Sequence, residues 1–315
     1  GDDGFRDIVN RGLLKPSFLK IFFCSLNKFF KKRKIKKIVI GYDTRETKNY
    51  ILKKIFKELL CLNYIEIIKV PISTPGLQYI SQQKSLFAIM ITASHFPNHY
   101  NGFKFFYKGV KLSKKIEKSI LKEIDTKKKI SKYDIKLDNI KKNPKIIKKS
   151  GFEYFKFINN TFKFQLRKKI LIDCSFGSVS GFYKKINFFK NLRVINYLYK
   201  QNKINHKSGS NFLKKNLKNK KYRKNDFCIA FDGDADRVTI SEKNYGLIEP
   251  EKLAVIFANF FDSHRKVKSI VSTEISNPWI REKLEKKKIK LYLSKVGDRN
   301  VINLKKKKNS FFGFE

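Results

Sequence analysis

Phe87-Ala88-Ile89-Met90-Ile91-Thr92-Ala93-Ser94-His95-Phe96-Pro97 is an apolar, β-rich run that stops on small hydroxyl residues followed by His and Pro. Such a run reads as a buried strand, and the residues after it as the loop at the strand's end, where reacting groups sit. Ser94 is therefore the candidate reacting group. Taken alone, a serine here would be a strand cap and His95 a packed or surface histidine. A second stretch turns that balance. After the apolar run Cys228 to Phe231 comes Asp232-Gly233-Asp234-Ala235-Asp236-Arg237, with carboxylates at alternate positions beside an arginine. Aspartates crowded after a buried strand repel one another unless a cation joins them. An EF-hand calcium loop is excluded, because it needs Gly at its sixth position and Glu at its twelfth, where this chain has Arg237 and Lys243.

Outward from these two stretches a pattern recurs. Lys36-Lys37-Ile38-Val39-Ile40-Gly41 is echoed by Lys168-Lys169-Ile170-Leu171-Ile172-Asp173, and more loosely by Val267-Lys268-Ser269-Ile270-Val271-Ser272. Each opens an α/β unit, and each is followed downstream by a second strand ending in a polar loop. Those loops are Thr92 to Pro97, Asp232 to Arg237 and Lys295-Val296-Gly297-Asp298-Arg299, and they are expected to share a cleft. The fold expected is α/β, built as three successive modules with mixed sheets over residues 1–149, 150–247 and 248–315. The run Leu13 to Phe30 is broken by Lys15, Lys20 and Lys28 and preceded by acidic residues, so it reads as a core helix over about 16–31 rather than a signal peptide. Lys-rich stretches at 127–149 and 214–225 read as linkers or solvated helix faces. Residue 1 is Gly and Met90 is the single methionine, so a processed or cut N-terminus is expected.

The chain has 315 residues, long enough for several cores, and carries 72 Lys and Arg against 27 Asp and Glu, a formal charge of +45. A charge of this size ordinarily points to nucleic acid. Here lysine dominates, and Ile, Phe, Asn and Tyr are abundant too, which is the residue set of A/T-rich codons. The charge is therefore assigned to composition rather than to a nucleic-acid partner. Cys24, Cys61, Cys174 and Cys228 form no metal-type pairs and read as reduced thiols of a cytoplasmic protein.

The chemistry these residues allow is metal-assisted phosphoryl transfer. A serine can carry a phosphoryl group and pass it to a sugar hydroxyl when positioning and positive charge are supplied. Asp232, Asp234 and Asp236, with the Ser94 oxygen, offer the hard oxygen ligands that Mg²⁺ prefers. His95 and Arg237 are placed to hold the phosphate. Lys104, in Asn101-Gly102-Phe103-Lys104, could act as acid/base or electrostatic helper if burial lowers its pKa.

These motifs resemble those of the α-D-phosphohexomutases. The family's serine signature is matched by Thr92 to Pro97, with Phe96 in place of Asn, and its metal loop is matched in full by Asp232 to Arg237. Gly41-Tyr42-Asp43-Thr44-Arg45, Asn101 to Lys104 and Asp3-Gly4-Phe5-Arg6 also match. Lys295 to Arg299, Asn205-His206-Lys207-Ser208-Gly209-Ser210 and Ser276-Asn277 are most similar to the bacterial phosphoglucosamine mutase branch.

The resemblance implies an isomerase that interconverts glucosamine 6-phosphate and glucosamine 1-phosphate through phosphorylated Ser94 and a hexosamine 1,6-bisphosphate, with one Mg²⁺ per active site. Arg6 and Lys104 would assist proton transfer, Arg237 would face the transferring phosphate, and Arg45 would steady the phosphoserine region and bind phosphate. Asp298, Arg299 and Glu315 would contact the sugar phosphate. No membrane partner is implied, and a monomer or homodimer is expected. The family continues beyond the Gly-x-Glu loop into a fourth domain that grips the other phosphate. The 315 residues stop at Glu315, so a truncated form or a decaying gene product is expected, with turnover severely impaired. The competing readings are a phosphomannomutase or phosphoglucomutase of the same family, and a non-catalytic basic remnant that binds RNA.

Overall fold

A computed structural model describes residues 4–122, 144–162, 166–185, 189–198, 203–263 and 266–315. Two compact units divide the chain, one reaching to Lys243 and the other spanning Asn244–Glu315.

The first unit opens with β1 (Phe5–Ile8) and α1 (Pro16–Lys32). Proline at the helix's first position fits a site whose N–H has no intrahelical partner. The helix follows the expected span to within a residue. Its Leu19, Phe22, Phe23, Leu26 and Phe30 are buried, and each such side chain is worth roughly 1.5–3 kcal/mol removed from water. They pack on one face of a sheet made from β2 (Lys37–Tyr42), β3 (Tyr64–Ile68), β4 (Phe87–Ile91), β5 (Tyr100–Tyr107), β6 (Val110–Lys111) and β7 (Lys145–Lys149) together with β1. Helices α2 (Lys48–Glu58), α3 (Thr74–Gln83) and α4 (Lys114–Lys122) accompany these strands.

The sheet order is β1-β5-β4-β2-β3-β7, with β4, β2, β3 and β7 parallel and β5 reversed. Along β4 the period of two shows directly. Phe87, Ile89 and Ile91 join the α1 side, while Ala88 and Met90 join the opposite layer with Leu77 and Ile80 of α3. Both faces are covered, which is why the run reads as continuously apolar.

The linker reading of 127–149 needs correction over its last residues, since 145–149 is the edge strand β7, parallel to β3. Lys145, Lys148 and Lys149 flank the adjacent Ile146 and Ile147 there, a composition that hid the strand and suits an edge protected by charge. Residues 127–143 lie outside the described residues.

A second sheet follows α5 (Phe152–Thr161). It contains β8 (Leu166–Asp173), β9 (Phe189–Ile195), β10 (Phe227–Phe231) and β11 (Val238–Glu242), with β10 between parallel β8 and antiparallel β11, and β9 beyond β8. Residues 214–225 carry the short helices α6 (Leu213–Asn216) and α7 (Lys220–Arg223), largely solvated as expected.

The two sheets repeat one topology. In the first, β2 leads to β3 on one side and the chain then crosses to β4 on the other; in the second, β8 leads to β9 and the chain then crosses to β10. Each sheet therefore has a switch point, between β2 and β4 and between β8 and β10. The crevice outside the carboxyl ends of such strands is where open α/β sheets bind ligands.

The second unit holds β12 (Gly246–Ile248), α8 (Pro250–Asp262), β13 (Ser269–Thr273), α9 (Trp279–Glu285), β14 (Lys290–Ser294) and α10 (Asp298–Lys308). Strands β13 and β14 pair in parallel over a core that includes Ala258, Ile270, Ile280 and Leu284. No helix among the described residues is long and apolar enough to cross a membrane.

Candidate active site

Both switch points of the first unit carry the residues singled out above. Strand β4 runs out at Ile91 into Thr92-Ala93-Ser94, and its neighbour β2 runs out at Tyr42 into Asp43-Thr44-Arg45. The Thr92 hydroxyl donates to Asp43 Oδ2 at 2.7 Å and accepts from the Ser94 N–H at 2.8 Å. Ser94 is held with φ at 49°, in the left-handed region, and its side chain is buried. A non-glycine residue there keeps a costly backbone shape only if its surroundings impose it.

Arg45 supplies part of that constraint. Its guanidinium pairs with Asp43 and donates to the carbonyl oxygens of Ser94 and Phe96. The side chain is wholly buried. Of the two roles expected for Arg45, this geometry favours steadying the serine loop over touching a substrate phosphate.

The loop after β10 meets the loop after β4. Ser94 Oγ donates to Asp232 Oδ2 at 2.7 Å. Asp232, Asp234 and Asp236 each offer a carboxylate oxygen, all lying within 4.8 Å of one another. The turn is closed by the Arg237 N–H on Asp232 Oδ1 at 3.2 Å and the Ala235 N–H on the Asp232 carbonyl at 3.1 Å. Glycine is required at 233, because a Cβ there would sit 2.5 Å from the Ser94 carbonyl oxygen. The hydroxyl of Thr74, at the start of α3, donates to Asp234 Oδ2, and its N–H donates to the Asp234 carbonyl at 2.8 Å.

Charge inside this turn is unevenly settled. Lys104, from β5, places Nζ 2.7 Å from Asp234 Oδ2 and also reaches Asp236. Burial alone would push this ammonium down, but the Asp234 and Asp236 carboxylates outweigh it and hold its pKa above the ordinary lysine value. The lowered pKa on which an acid/base role for Lys104 was conditional is thus not found. Burial likewise opposes ionisation of Asp234, yet the lysine contact brings that carboxyl down to about 2. Asp232 makes no such ion pair among the described residues, and burial plus the charges of Asp234 and Asp236 outweigh the Ser94 hydrogen bond and Lys104 and push it up to about 8.

His95 is pushed down to about 4 by burial and by the neighbouring Arg237 and Arg6, so it is a neutral imidazole near pH 7, with Nδ1 buried and lacking a hydrogen-bond partner among the described residues. Arg6, on β1, lies over the Phe96 ring at 5.6 Å, and Phe96 packs in turn on His95 and Tyr100. The aromatic at 96 thus points its ring at Arg6 while its backbone carbonyl stays in the grip of Arg45.

The donor set fits a hard divalent cation. The ligand atoms are carboxylate oxygens, Asp234 Oδ1 is buried with no hydrogen-bond partner among the described residues, and burial with the neighbouring carboxylates raises Asp232 above the usual carboxylate range.

In the second unit, Gly297 has φ at 116° and its N–H donates to Glu315 Oε1 at 3.0 Å, so Glu315 meets the turn that starts α10. Asp298 is the first residue of that helix and Arg299 is buried.

Thr74 and Asn205 join the site without a motif of their own to mark them. Thr74 had no visible signal, being an ordinary helix-starting residue. Asn205 served only as a mark of subfamily.

Two family descriptions match the chain: "Phosphoglucomutase/phosphomannomutase, alpha/beta/alpha domain I" over residues 1–131 and the corresponding "domain III" over residues 249–315. A phosphoglucosamine mutase of Dictyoglomus turgidum is 30% identical over 96% of this chain and 69% of its own length. A phosphoglucomutase/phosphomannomutase family protein from Burkholderia thailandensis superposes with a TM-score of 0.79 at 16% identity, covering 99% of this chain and 69% of that one. An Aspergillus fumigatus N-acetylphosphoglucosamine mutase, solved with GlcNAc-6P and magnesium, gives a TM-score of 0.59 at 14% identity over 96% and 64% of the two chains.

Proposed function

The chain belongs to the α-D-phosphohexomutase family, and from that premise we propose that it is a phosphosugar mutase acting on glucosamine phosphates. The observation that carries the reading is Ser94 Oγ hydrogen-bonded to Asp232 where the loops of two separate sheets meet. A buried serine against a carboxylate cluster has the parts of a phosphoryl carrier, since such transfer needs positioning and positive charge more than covalent activation.

In this reading Ser94 carries the phosphoryl group and gives it to the anomeric C1 hydroxyl of glucosamine 6-phosphate, the serine oxygen regaining a proton as its bond to phosphorus breaks. The 1,6-bisphosphate turns over, and Ser94 takes back the other phosphoryl group to leave glucosamine 1-phosphate. Asp232, Asp234, Asp236 and the Ser94 oxygen would hold Mg²⁺, which would supply positive charge against the phosphoryl oxygens. Lys104 remains an ammonium and keeps Asp234 ionised. His95, neutral, offers a hydrogen bond rather than charge, and Arg6 and Arg237 face the phosphoryl group from the rim. Asp298, Arg299 and Glu315 are assigned to substrate contact. Module limits at 149/150 and 247/248 belong to the same reading, as does a cytoplasmic location.

The relative's name carries the choice of glucosamine, and a half-reaction tests it. The chain phosphorylated on Ser94 is mixed separately with glucosamine 6-phosphate, mannose 6-phosphate and glucose 6-phosphate, and loss of the phosphoryl mass is followed. Fastest loss to glucosamine 6-phosphate is expected. Faster loss to either other sugar moves the assignment to a sister activity, and no loss to any of them removes the mutase reading.

A further inference from the structure

The serine loop is held from two directions, and one of them has no role assigned above. Arg45 grips the Ser94 and Phe96 carbonyls from the first sheet. From the second sheet, Asn205 Nδ2 donates to the same pair, at 2.8 Å to Ser94 O and 3.0 Å to Phe96 O. An amide nitrogen carries two hydrogens, so each carbonyl receives one.

What turns the amide that way is also visible. Carbonyl oxygens only accept, so the end of the amide facing Ser94 O and Phe96 O is the nitrogen, and the Ser175 hydroxyl donates to Oδ1 at the other end at 3.0 Å. The Asn205 N–H in turn donates to the Ser175 carbonyl at 3.0 Å, pinning the residue's backbone. Asn205 sits at φ 60°, a conformation asparagine tolerates better than most side chains. Behind both lies Asp173, at the end of β8. One of its oxygens accepts the Ser175 N–H and the other the Gly209 N–H, each at 2.9 Å, so a single buried carboxylate ties the turn that carries Ser175 to the Gly209 end of the 203–210 loop.

We propose that Asn205 is a positioning residue for phosphoryl transfer, an amide clasp set by Ser175 and Asp173 that fixes the backbone on either side of the Ser94 nucleophile. Without Asn205 the two carbonyls would be held by Arg45 from one sheet alone, leaving Ser94 freer to depart from its left-handed φ and carry Oγ away from Asp232. Because the clasp comes from the second sheet, it registers the serine loop against the aspartate loop that grows from the same sheet. Asn205 reaches the reacting oxygen only through the backbone, which is why it positions and does not itself react.

The test has two arms, and only the kinetic one rests on the mutase reading. In the first, hydrogen exchange of the peptide spanning 92–97 is compared between the wild type and Asn205→Asp, with strands β2, β4 and β10 as internal references for folding. The aspartate keeps size and offers no donor. Faster exchange confined to 92–97 is expected, and exchange unchanged there overturns the clasp whether or not the chain transfers phosphoryl groups.

In the second arm, phosphorylation of Ser94 by glucosamine 1,6-bisphosphate with Mg²⁺ is timed over a range of donor concentrations. Displacing the nucleophile is expected to lower the saturating rate roughly 100-fold while leaving the half-saturating concentration within about two-fold. Ser175→Ala, which frees the amide to turn, is expected to cost about five-fold, as one lost hydrogen bond does. Asn205→Gln, which restores the donors on a longer stem, recovers part of the Asn205→Asp loss. A loss carried wholly by the half-saturating concentration would make Asn205 a substrate-binding residue instead and overturn the proposal. A wild-type chain that takes no phosphoryl group rejects the mutase reading and leaves the exchange arm to decide the clasp.

Discussion

The serine loop and the aspartate loop leave equivalent strands of two sheets with the same topology, yet they are stabilised in opposite ways. Around Ser94 nearly everything is hydrogen bonding to backbone: Thr92 to the serine N–H, Arg45 and Asn205 to the carbonyls. Around Asp234, beside the Thr74 hydrogen bonds, interactions between charges dominate, with one lysine shared by two carboxylates and a third carboxyl held mainly protonated near neutrality. One loop stores geometry and the other stores an unmet demand for positive charge. A nucleophile needs the first, and a cation site needs the second.

Removing charge should hurt more than removing contacts. Lys104→Met leaves Asp234 buried without its cation, and breaking a buried pair on one side costs about 3–5 kcal/mol. Urea unfolding in chelator is expected to show this loss, with Mg²⁺ restoring part of it; an undiminished midpoint would mean that the aspartate turn does not depend on charge balance. The joint between the loops comes next. In Gly233→Ala the new methyl meets the Ser94 carbonyl, and overpacking of this kind costs roughly 1–3 kcal/mol. Phosphoryl uptake by that variant should fall together with its stability, whereas normal uptake would show that the close approach is incidental.

Proton linkage sharpens the contrast further. The Asp232 carboxyl titrates near 8 in the folded chain and near about 3.9 when unfolded, so the folded state holds the extra proton between these values. Its contribution is complete below about pH 3.9 and is lost as pH rises through 8. His95, depressed to about 4, works the other way: its contribution is present above the unfolded value of about 6.5 and is lost as pH falls through 4. Asp234, depressed to about 2, also contributes above its unfolded value and loses that contribution only in strong acid. Between about pH 6.5 and 8, where Asp232 dominates, cation-free protein should therefore lose stability with rising pH, and saturating Mg²⁺ should flatten the slope. Urea midpoints across that range with chelator or Mg²⁺ decide it, and a rising midpoint in chelator would contradict the raised Asp232 carboxyl. The smallest effect belongs to the aromatic rim. Phe96→Asn removes the ring beneath Arg6 and is expected to cost about 0.5–1 kcal/mol, with the Arg45 and Asn205 bonds to its carbonyl intact. Abolished phosphoryl uptake in that variant would mean that the ring, and not the backbone, orders the loop.

Much of this was readable from residue order. Strand β4, helix α1 and the strand before Asp232 follow from continuous apolar runs, which have few alternative uses in a chain this charged. The meeting of Ser94 with Asp232 was expected from chemistry, because neither loop makes sense alone. Three features lay deeper. Strand β7 was hidden by its lysines, since an edge strand is allowed a polar composition that a linker shares. The clasp by Asn205 depends on which carbonyls another loop presents, and no side-chain pattern encodes that. Lys104 was recognised as chemically important, but its protonation follows from two carboxylates arriving from a sheet far along the chain.

The most direct measurement is the site of the phosphoryl group after the chain is incubated with glucosamine 1,6-bisphosphate, read by intact mass and peptide mapping in the wild type and Ser94→Ala, each with Mg²⁺ and with chelator. One adduct, on Ser94, formed with Mg²⁺ and absent in both the variant and the chelated sample, is the expected result. No adduct in the wild type, or an adduct that survives Ser94→Ala, would contradict the view that these two loops form one phosphoryl-transfer centre.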